Sequence, residues 1–345
     1  MKKIVKVGNL EIGNGDVVIQ SMTNTKTTDV DGTVKQIHEL EEAGCELVRV
    51  SVPDEASALA CKSIVEQISI PLVADIHFSW KLAKMAVDNG VTKVRLNPGN
   101  IGDHEKVKYL ANYFKERSIP IRIGVNGGSL DKKYENMPLD IAMKESAMEH
   151  VHLLEDCNFD DIIISAKSSN VKMMISTYRM LNECCNYPLH IGVTEAGTYY
   201  RGMIKSSIGI GSLLCDNIGD TVRVSLTDDP VKEIYAAKDI LQACDRYNKP
   251  FAEIISCPTC ARTNIDVKGI ASEIDDYCKN INKDVKVAVM GCIVNGIGES
   301  KGCDFGVAGG KGKSAIFANG ELLESIPNEL IIPKLKEMID KFEEK

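Results

Sequence analysis

The chain alternates between short aliphatic runs and amphipathic stretches of helical period, and it does so eight times. Runs that read as strands fall at residues 17–22, 47–52, 72–76, 93–96, 121–125, 162–165, 189–193 and 221–226. Several are nearly continuous in valine, isoleucine and leucine, as in parallel strands covered on both faces. Between them, residues 33–43, 56–67, 80–89, 105–116, 140–157, 171–183, 204–216 and 231–247 carry apolar side chains at helical spacing. Eight strand–helix units in series predict an α/β chain with a closed (β/α)8 TIM barrel over residues 1–249. An open doubly wound sheet is the alternative. A count of eight with no large insertion favours the barrel.

The pattern changes at Asn248-Lys249-Pro250. Beyond it come strand-like 253–256 and 285–290, a helix at 271–278 and a glycine-rich stretch at 302–312. A further apolar run at 315–317, a turn at Asn319-Gly320 and a charged terminal helix over 328–345 follow. Residues 250–345 therefore predict a small α+β domain.

Polar residues gather where the barrel strands end, the face that carries active sites in such barrels. They include Gln20-Ser21-Met22-Thr23-Asn24-Thr25, Arg49-Val50-Ser51, Asp75-Ile76-His77 and Arg95-Leu96-Asn97-Pro98-Gly99-Asn100. Later strands add Arg122-Ile123-Gly124-Val125-Asn126, Ser165-Ala166-Lys167, Val193-Thr194-Glu195 and Arg223-Val224-Ser225. One arginine is ordinarily a solvated surface charge. Arg49, Arg95, Arg122 and Arg223 each lie within a strand pattern, where a charge needs a partner or a ligand. Arginines and Lys167 converging on one mouth suit a phosphate or diphosphate.

Net charge is −8, which argues against general nucleic-acid binding and leaves room for a local basic pocket. No stretch reaches the length of a membrane span, and the first residues lack the apolar core of a signal peptide. Twelve cysteines in 345 residues do not resemble a disulfide scaffold and point to a reduced, cytoplasmic setting. Cys45, Cys61, Cys157, Cys184, Cys185, Cys215, Cys244 and Cys278 read as small buried apolar residues in or beside helices.

Cys257 and Cys260 in Cys257-Pro258-Thr259-Cys260, with Cys292 in Gly291-Cys292-Ile293, have metal-ligand or redox spacing. Four readings compete at this point. Three thiolates hold a [4Fe–4S] cluster and leave one iron for a non-cysteine ligand such as Glu299. Cys303 as a fourth ligand would make a zinc site. A C-x-x-C pair does dithiol chemistry, although the expected βαβ setting is not clear. Buried structural thiols are the plain reading. Gly312-Lys313-Ser314 invites a phosphate-loop reading, but Val307 stands where the first glycine belongs and a strand follows where a helix is required.

Several blocks in order resemble the 4-hydroxy-3-methylbut-2-enyl diphosphate synthase family, over nearly the whole chain and in its compact two-domain bacterial form. They are Ser21-Met22-Thr23-Asn24-Thr25, Ala74-Asp75-Ile76-His77-Phe78, Arg95-Leu96-Asn97-Pro98-Gly99-Asn100 and Gly192-Val193-Thr194-Glu195-Ala196-Gly197. Cys257-Pro258-Thr259-Cys260 and Met290-Gly291-Cys292-Ile293-Val294-Asn295-Gly296-Ile297-Gly298-Glu299 complete them. The resemblance implies a [4Fe–4S] cluster on Cys257, Cys260 and Cys292, with Glu299 as the fourth ligand when substrate is absent. It implies substrate contacts from Arg49, Arg95, Asn97, Arg122, Asn126, Lys167, Thr194 and Ser225, with Asp75 and His77 in a further family block. Glu195 resembles the acidic residue beside the reacting carbons. The implied reaction reductively opens 2-C-methyl-D-erythritol 2,4-cyclodiphosphate, with flavodoxin or ferredoxin as electron donor. Ile297 replaces the usual proline, and Cys303 stands where alanine is common.

Two other functions remain open on sequence: a zinc-stabilised binding protein, and a barrel aldolase with Lys167 as Schiff base. The topology also predicts an assembly. The eighth helix carries the chain away from the catalytic face, over roughly 25 Å at 1.5 Å per residue. A head-to-tail homodimer, each cluster domain capping the other barrel, solves the resulting mismatch.

Overall fold

The computed structural model describes residues 2–101, 104–279 and 281–343, except the side chains of Asn295, Ile297 and Glu299. It divides into two compact units, Met1–Tyr247 and Asn248–Lys345. The first opens with a hairpin of β1 (Val5–Val7) and β2 (Leu10–Ile12). Then β3 (Val18–Met22), α1 (Val30–Glu42), β4 (Leu47–Ser51), α2 (Glu55–Val65), β5 (Leu72–Asp75) and α3 (Trp80–Asp88) follow. The series continues with β6 (Lys93–Arg95), α4 (His104–Lys115), β7 (Ile121–Asn126), α5 (Leu139–Glu155), β8 (Ile162–Lys167) and α6 (Val171–Cys184). It ends with β9 (His190–Ile191), α7 (Tyr199–Cys215), β10 (Thr221–Val222) and α8 (Pro230–Ala243).

The eight strands β3 to β10 are parallel, in the order β8-β7-β6-β5-β4-β3-β10-β9. A bridge between Ile164 and Leu189 joins the two ends, so the barrel closes. Short polar side chains start the helices: Asp54 accepts from the Ser57 N–H at 2.8 Å, and Ser79 from the Leu82 N–H at 3.3 Å. α7 begins earlier than its periodicity suggested, at Tyr199, because Tyr199 and Tyr200 are exposed and break the apolar spacing.

Alternation along the strands sorts the barrel into two sides. Ile19, Val48, Val50, Ala74, Val94, Ile121, Ile123, Ile164 and Val222 join the helices in one large apolar core. The alternate residues face the barrel axis. At the N-terminal ends of the strands these are Val18, Leu47, Val73 and Ile163, packed with Val5, Val7 and Ile12 of the hairpin. The hairpin thus plugs the barrel floor. It escaped the sequence reading because three residues per strand carry too little pattern. Above that plug the interior is polar.

The second unit contains β11 (Ala252–Ser256), α9 (Val267–Cys278), β12 (Val285–Met290), α10 (Ile293–Glu299), β13 (Phe305–Ala308), β14 (Lys313–Ala318), β15 (Glu321–Pro327) and α11 (Ile331–Lys341). The sheet runs in chain order, with β11, β12 and β13 parallel and β14 and β15 antiparallel. One face, with Val287, Val289, Val307 and Ile316, packs with Ile270, Ile274, Leu335 and Ile339 of α9 and α11. The other face is narrow, with Ala288, Ala308 and Ala315, and α10 lies on it. Gly296 permits that approach: a Cβ there would stand 2.7 Å from the Ala308 Cβ. The sequence reading missed α10, β13 and β15. Glycines interrupt α10 and β13, and β15 is an exposed edge. The terminal helix is shorter than expected, since a 3-10 turn at Asn328–Leu330 precedes α11 and residues 344–345 lie outside the described set.

Candidate functional site

Six cations point into the barrel on alternating strand positions: Arg49 on β4, Lys93 and Arg95 on β6, Arg122 on β7, Lys167 on β8, and Arg223 just past β10. Ordinary barrels fill this space with branched apolar side chains. Two buried carboxylates face the six. Asp75, at the end of β5, meets Arg95 Nη1 at 3.2 Å and Arg49 Nε at 3.7 Å. Glu233, on α8, meets Arg223 Nε at 3.4 Å. Burial pushes the Asp75 carboxyl up, but Arg49, Arg95 and Arg122 outweigh it and hold the group below its usual range.

Among the described residues, no carboxylate forms a direct ion pair with Lys93, Arg122 or Lys167. Burial lowers the Lys93 and Lys167 amines well below the usual lysine value, and neighbouring arginines lower them further. Burial also lowers Arg49 to about 10, with Asp75 opposing and Arg223 and Arg95 adding to the shift. Among the described residues, the buried side-chain nitrogens Gln20 Nε2, Arg122 Nε and His190 Nε2 have no hydrogen-bond partner. The other ring nitrogen of His190 meets Thr221 Oγ1 at 2.6 Å, and Lys93 Nζ reaches only Gln20 Oε1, at 3.4 Å. Buried donors of this kind call for a bound acceptor. The arrangement suits a multiply charged anion.

The sequence-predicted residues divide by role. Arg49, Asp75, Arg95 and His77 are brought together, with Arg95 Nη1 also 3.2 Å from His77 Nδ1. Asn97 is an architectural residue: its amide donates to the Gly124 carbonyl at 3.0 Å and accepts the Gly124 N–H at 2.8 Å. This ties β7 to the loop after β6, beside the bond from Arg95 Nη2 to the same carbonyl at 2.8 Å. Arg122 and Lys167 are buried in the interior, and Asn126 is half-buried at the end of β7. Thr194 and Ser225 are half-buried beyond β9 and β10. Glu195 is exposed on the loop between β9 and α7, with φ +52°. A non-glycine residue seldom holds that left-handed conformation, and such outliers concentrate at functional sites.

Lys93, His190 and Glu233 escaped the sequence reading, and Gln20 stood in it only within the polar block that ends β3. Lys93 was legible, since it alternates with Arg95 on one strand and must share its face. Gln20 and His190 sit one layer deeper, on strands already recognised. Glu233 had no sequence signal, because it lies on a helix. It accepts the Ser21 hydroxyl at 3.3 Å, the Leu226 N–H at 2.9 Å and Arg223 Nε at 3.4 Å. One carboxylate thus joins β3, Arg223 and the loop carrying Ser225.

In the second unit, β11 and β12 lie side by side and parallel, and both lead into cysteine loops. The Cys257 N–H donates to the Val289 carbonyl at 3.3 Å, and its Sγ accepts the Gly291 N–H at 3.2 Å. Cys292 follows at once, at the start of α10. Hydrogen bonds from Arg262 lower the exposed Cys260 thiol below its usual value. The loop is closed by the Asn264 N–H on the Gly291 carbonyl, at 2.8 Å. Cys303 is elsewhere. The register pairs Val287 with Phe305, so Cys303 lies level with Val285 at the start of the strands. Seven residues separate Val285 from Cys292, roughly 20 Å of extended chain. That separation removes the four-cysteine zinc set.

Among the described residues, no three His, Cys, Asp or Glu side chains stand close enough to share one ion. An iron–sulfur cluster takes one thiolate per iron, so its ligands stand further apart than those around a single ion. Three thiols on two adjacent loops, one receiving a backbone N–H, are a donor set that fits such a cluster. The Glu299 side chain lies outside the described residues. The expectation that the other cysteines are buried needs correction: Cys184 and Cys215 are exposed, since each falls in the last turn of a helix on its solvent side. The phosphate-loop pattern lies in a turn between β13 and β14, with no helix after it.

Residues 2–238 match the GcpE TIM-barrel domain, and residues 253–341 match the GcpE protein C-terminal domain. A 4-hydroxy-3-methylbut-2-en-1-yl diphosphate synthase (flavodoxin) of Clostridium perfringens is 55% identical over 342 residues, 97% of each chain. The protein of the same name from Geobacillus thermodenitrificans is 50% identical, over 99% of this chain and 92% of its own length. Among solved structures, dihydropteroate synthase of Yersinia pestis superposes with a TM-score of 0.51 at 11% identity, over 72% of this chain and all of that one. That likeness concerns the barrel fold alone. With both domain descriptions matched in order and half the residues shared over nearly full length, the chain belongs to the GcpE family.

Proposed function

We propose that the chain converts 2-C-methyl-D-erythritol 2,4-cyclodiphosphate to 4-hydroxy-3-methylbut-2-enyl diphosphate, a two-electron reduction that opens the ring and expels water. It is then an oxidoreductase of isoprenoid precursor biosynthesis, as its relatives' name states for them. The observation that carries this reading is the barrel interior: six inward cations, two carboxylates and orphaned buried donors. A diphosphate supplies the missing acceptors. Arg49, Arg95, Arg122, Lys167 and Arg223 hold it, with Asn126, Thr194 and Ser225 at the rim and Asp75 and His77 setting the Arg95 guanidinium. As the ring opens, the same cations stabilise the charge left on the diphosphate. Glu195 donates a proton to the departing oxygen.

Cys257, Cys260 and Cys292 hold a [4Fe–4S] cluster, and Glu299 is the fourth ligand before substrate arrives. When bound, the cluster supplies single electrons and an iron that polarises a substrate oxygen. The donor is flavodoxin or ferredoxin. Twelve free thiols suit a cytoplasmic setting, and no described helix is long and apolar enough to cross a membrane.

Lys167 has the depressed pKa that a Schiff-base lysine needs. Its neighbours Arg122, Arg223 and Arg49 depress it further, and an anion among them reverses that part of the shift. Membership of the GcpE family favours the diphosphate role.

A head-to-tail homodimer follows from the exit of the barrel. Arg246, beyond α8, donates to the Gly15 carbonyl at 3.3 Å, and Gly15 precedes β3. The chain therefore leaves the barrel at the floor, away from the mouth. A cluster domain starting there serves a second copy's barrel. Heterodimers of a Cys292→Ser chain and an Arg95→Ala chain should regain one good site. Heterodimers that form without activity sink the shared site.

The main test uses anaerobically reconstituted protein given the cyclodiphosphate and a reductant, with product read by mass spectrometry. Glu195→Gln should keep iron content and pyrophosphate affinity and lose turnover. Full activity in that variant removes Glu195 from the mechanism.

A further inference from the structure

Cys215 ends α7, and Cys244 caps the C-terminus of α8. In a (β/α)8 barrel these adjacent helices run parallel, so both ends sit side by side. The two sulfurs are 3.9 Å apart, although 29 positions separate the residues. Cys215 is exposed and Cys244 is half-buried, its sulfur also 3.7 Å from the Gly211 carbonyl. We propose that Cys215 and Cys244 are a reversible modification site, a dithiol that closes to a disulfide on reaction with low-molecular-weight disulfides.

The geometry favours closure. Both thiols stand on the ends of packed helices, so their Cβ atoms are fixed relative to each other. A disulfide needs its sulfurs about 2.05 Å apart. Rotation of the two side chains about their Cα–Cβ bonds is the motion that brings the sulfurs together. The unequal exposure sets the order of attack. Cys215, in solvent, is the first nucleophile, because the thiolate attacks and exposure gives it access. Burial, reinforced by the neighbouring Cys215, raises the Cys244 thiol to about 11, so it waits as the resolving group.

The chemistry balances as thiol–disulfide exchange. The Cys215 thiolate attacks one sulfur of a small disulfide and releases one thiolate. The Cys244 sulfur then attacks the Cys215 mixed disulfide, gives its proton to solvent and releases the second. The protein dithiol loses two electrons and two protons, and the small disulfide becomes two thiols. The closed bridge pins the end of α8 three residues before the unit boundary at Tyr247. It needs neither substrate nor cluster, so it stands apart from the proposed reaction.

The test incubates the full chain with glutathione disulfide, blocks remaining thiols, and maps the peptides. Expected is a dithiothreitol-sensitive link between the peptides carrying Cys215 and Cys244, with no glutathione retained on either. Cys244→Ser should instead keep a stable glutathione adduct on Cys215, and Cys215→Ser should leave Cys244 unmodified. The linked wild type should melt about 5–10 °C higher than its reduced form, as a closed loop of this length implies. A wild-type chain with both thiols free, or with a lasting adduct on Cys215, overturns the proposal.

Discussion

Arg95 and Arg122 are more than nine-tenths buried on barrel strands, whereas Cys257 and Cys292 are half-exposed and Cys260 is fully exposed, on turns beyond the strand ends. The barrel interior is thus a rigid site of charges held in place before any ligand arrives. Its free form carries the cost of burying six basic side chains against two carboxylates. The cysteine loops carry no such burden, since neutral thiols in or near water are cheap. On the proposed function, a diphosphate completes the barrel and a cluster occupies the cysteine loops.

The sharpest way to break this comparison is to disable one region and read the other. Cys257→Ser, Cys260→Ser and Cys292→Ser should each lose the bound iron and all turnover, because hydroxyl oxygen is a poor partner for a soft centre. Pyrophosphate binding to the barrel should stay unchanged in all three. Cys303→Ser should keep full iron content, because Cys303 lies at the other end of the sheet. Iron analysis and calorimetry on the same anaerobic samples check both halves. Iron loss in the Cys303 variant sinks the three-cysteine assignment.

The converse change is Arg122→Met, which keeps the volume and removes the charge. It should weaken pyrophosphate binding by roughly 10- to 100-fold, the range of one or two charge-assisted hydrogen bonds. Iron content should not move. Calorimetric affinity within threefold of the parent chain would remove Arg122 from the anion site.

How far each region was legible follows from the same contrast. Barrel strands repeat a pattern, so Arg49, Arg95 and Arg122 stood out as charges inside apolar runs. Their partners did not all stand out. Asp75 was found because it ends a strand, while Glu233 reaches the site from α8, and no local pattern marks a helical residue that points inward past a strand end. The cysteine spacing was legible, and its chemistry needed the family resemblance to choose a cluster over zinc. The register of β12 against β13 then removed Cys303 independently, a fact carried by strand pairing and absent from spacing. The short hairpin plug and α10 were illegible, because three-residue strands and a glycine-broken helix carry too little period.

Glu233 sharpens the comparison inside the barrel. Its carboxylate meets Arg223 Nε at 3.4 Å, and the role to test is that of a positioning residue for this guanidinium. Glu233→Gln should weaken pyrophosphate binding about tenfold with little change in melting temperature. Arg223→Ala should do the same, and the double variant should be no worse than Arg223→Ala alone. Additive losses would show that Glu233 acts elsewhere, since independent sites add.

The last expectation is a pH dependence. Lys93 and Lys167 have folded-state pKa values well below 10.5, while the unfolded chain titrates near that value. Between the two values the unfolded chain binds more protons, so stability rises with pH. The slope is at most about 1.4 kcal/mol per pH unit for each lysine. Buried thiols act in the opposite sense at higher pH: Cys45 and Cys61 are raised from 9.0 to about 12, so their contribution is lost as pH climbs above 9. His190, lowered well below 6.5, acts mainly on the acid side of that value. The lysines are therefore best isolated below the thiol range and above that of His190, where urea unfolding should show stability increasing with pH. Saturating pyrophosphate should flatten the rise, because its negative charge favours the ammonium form and both amines take up protons from solvent in the folded barrel. A flat profile in both conditions would mean that the two lysines are already charged without a ligand, and that the free barrel already holds counter-charge for them.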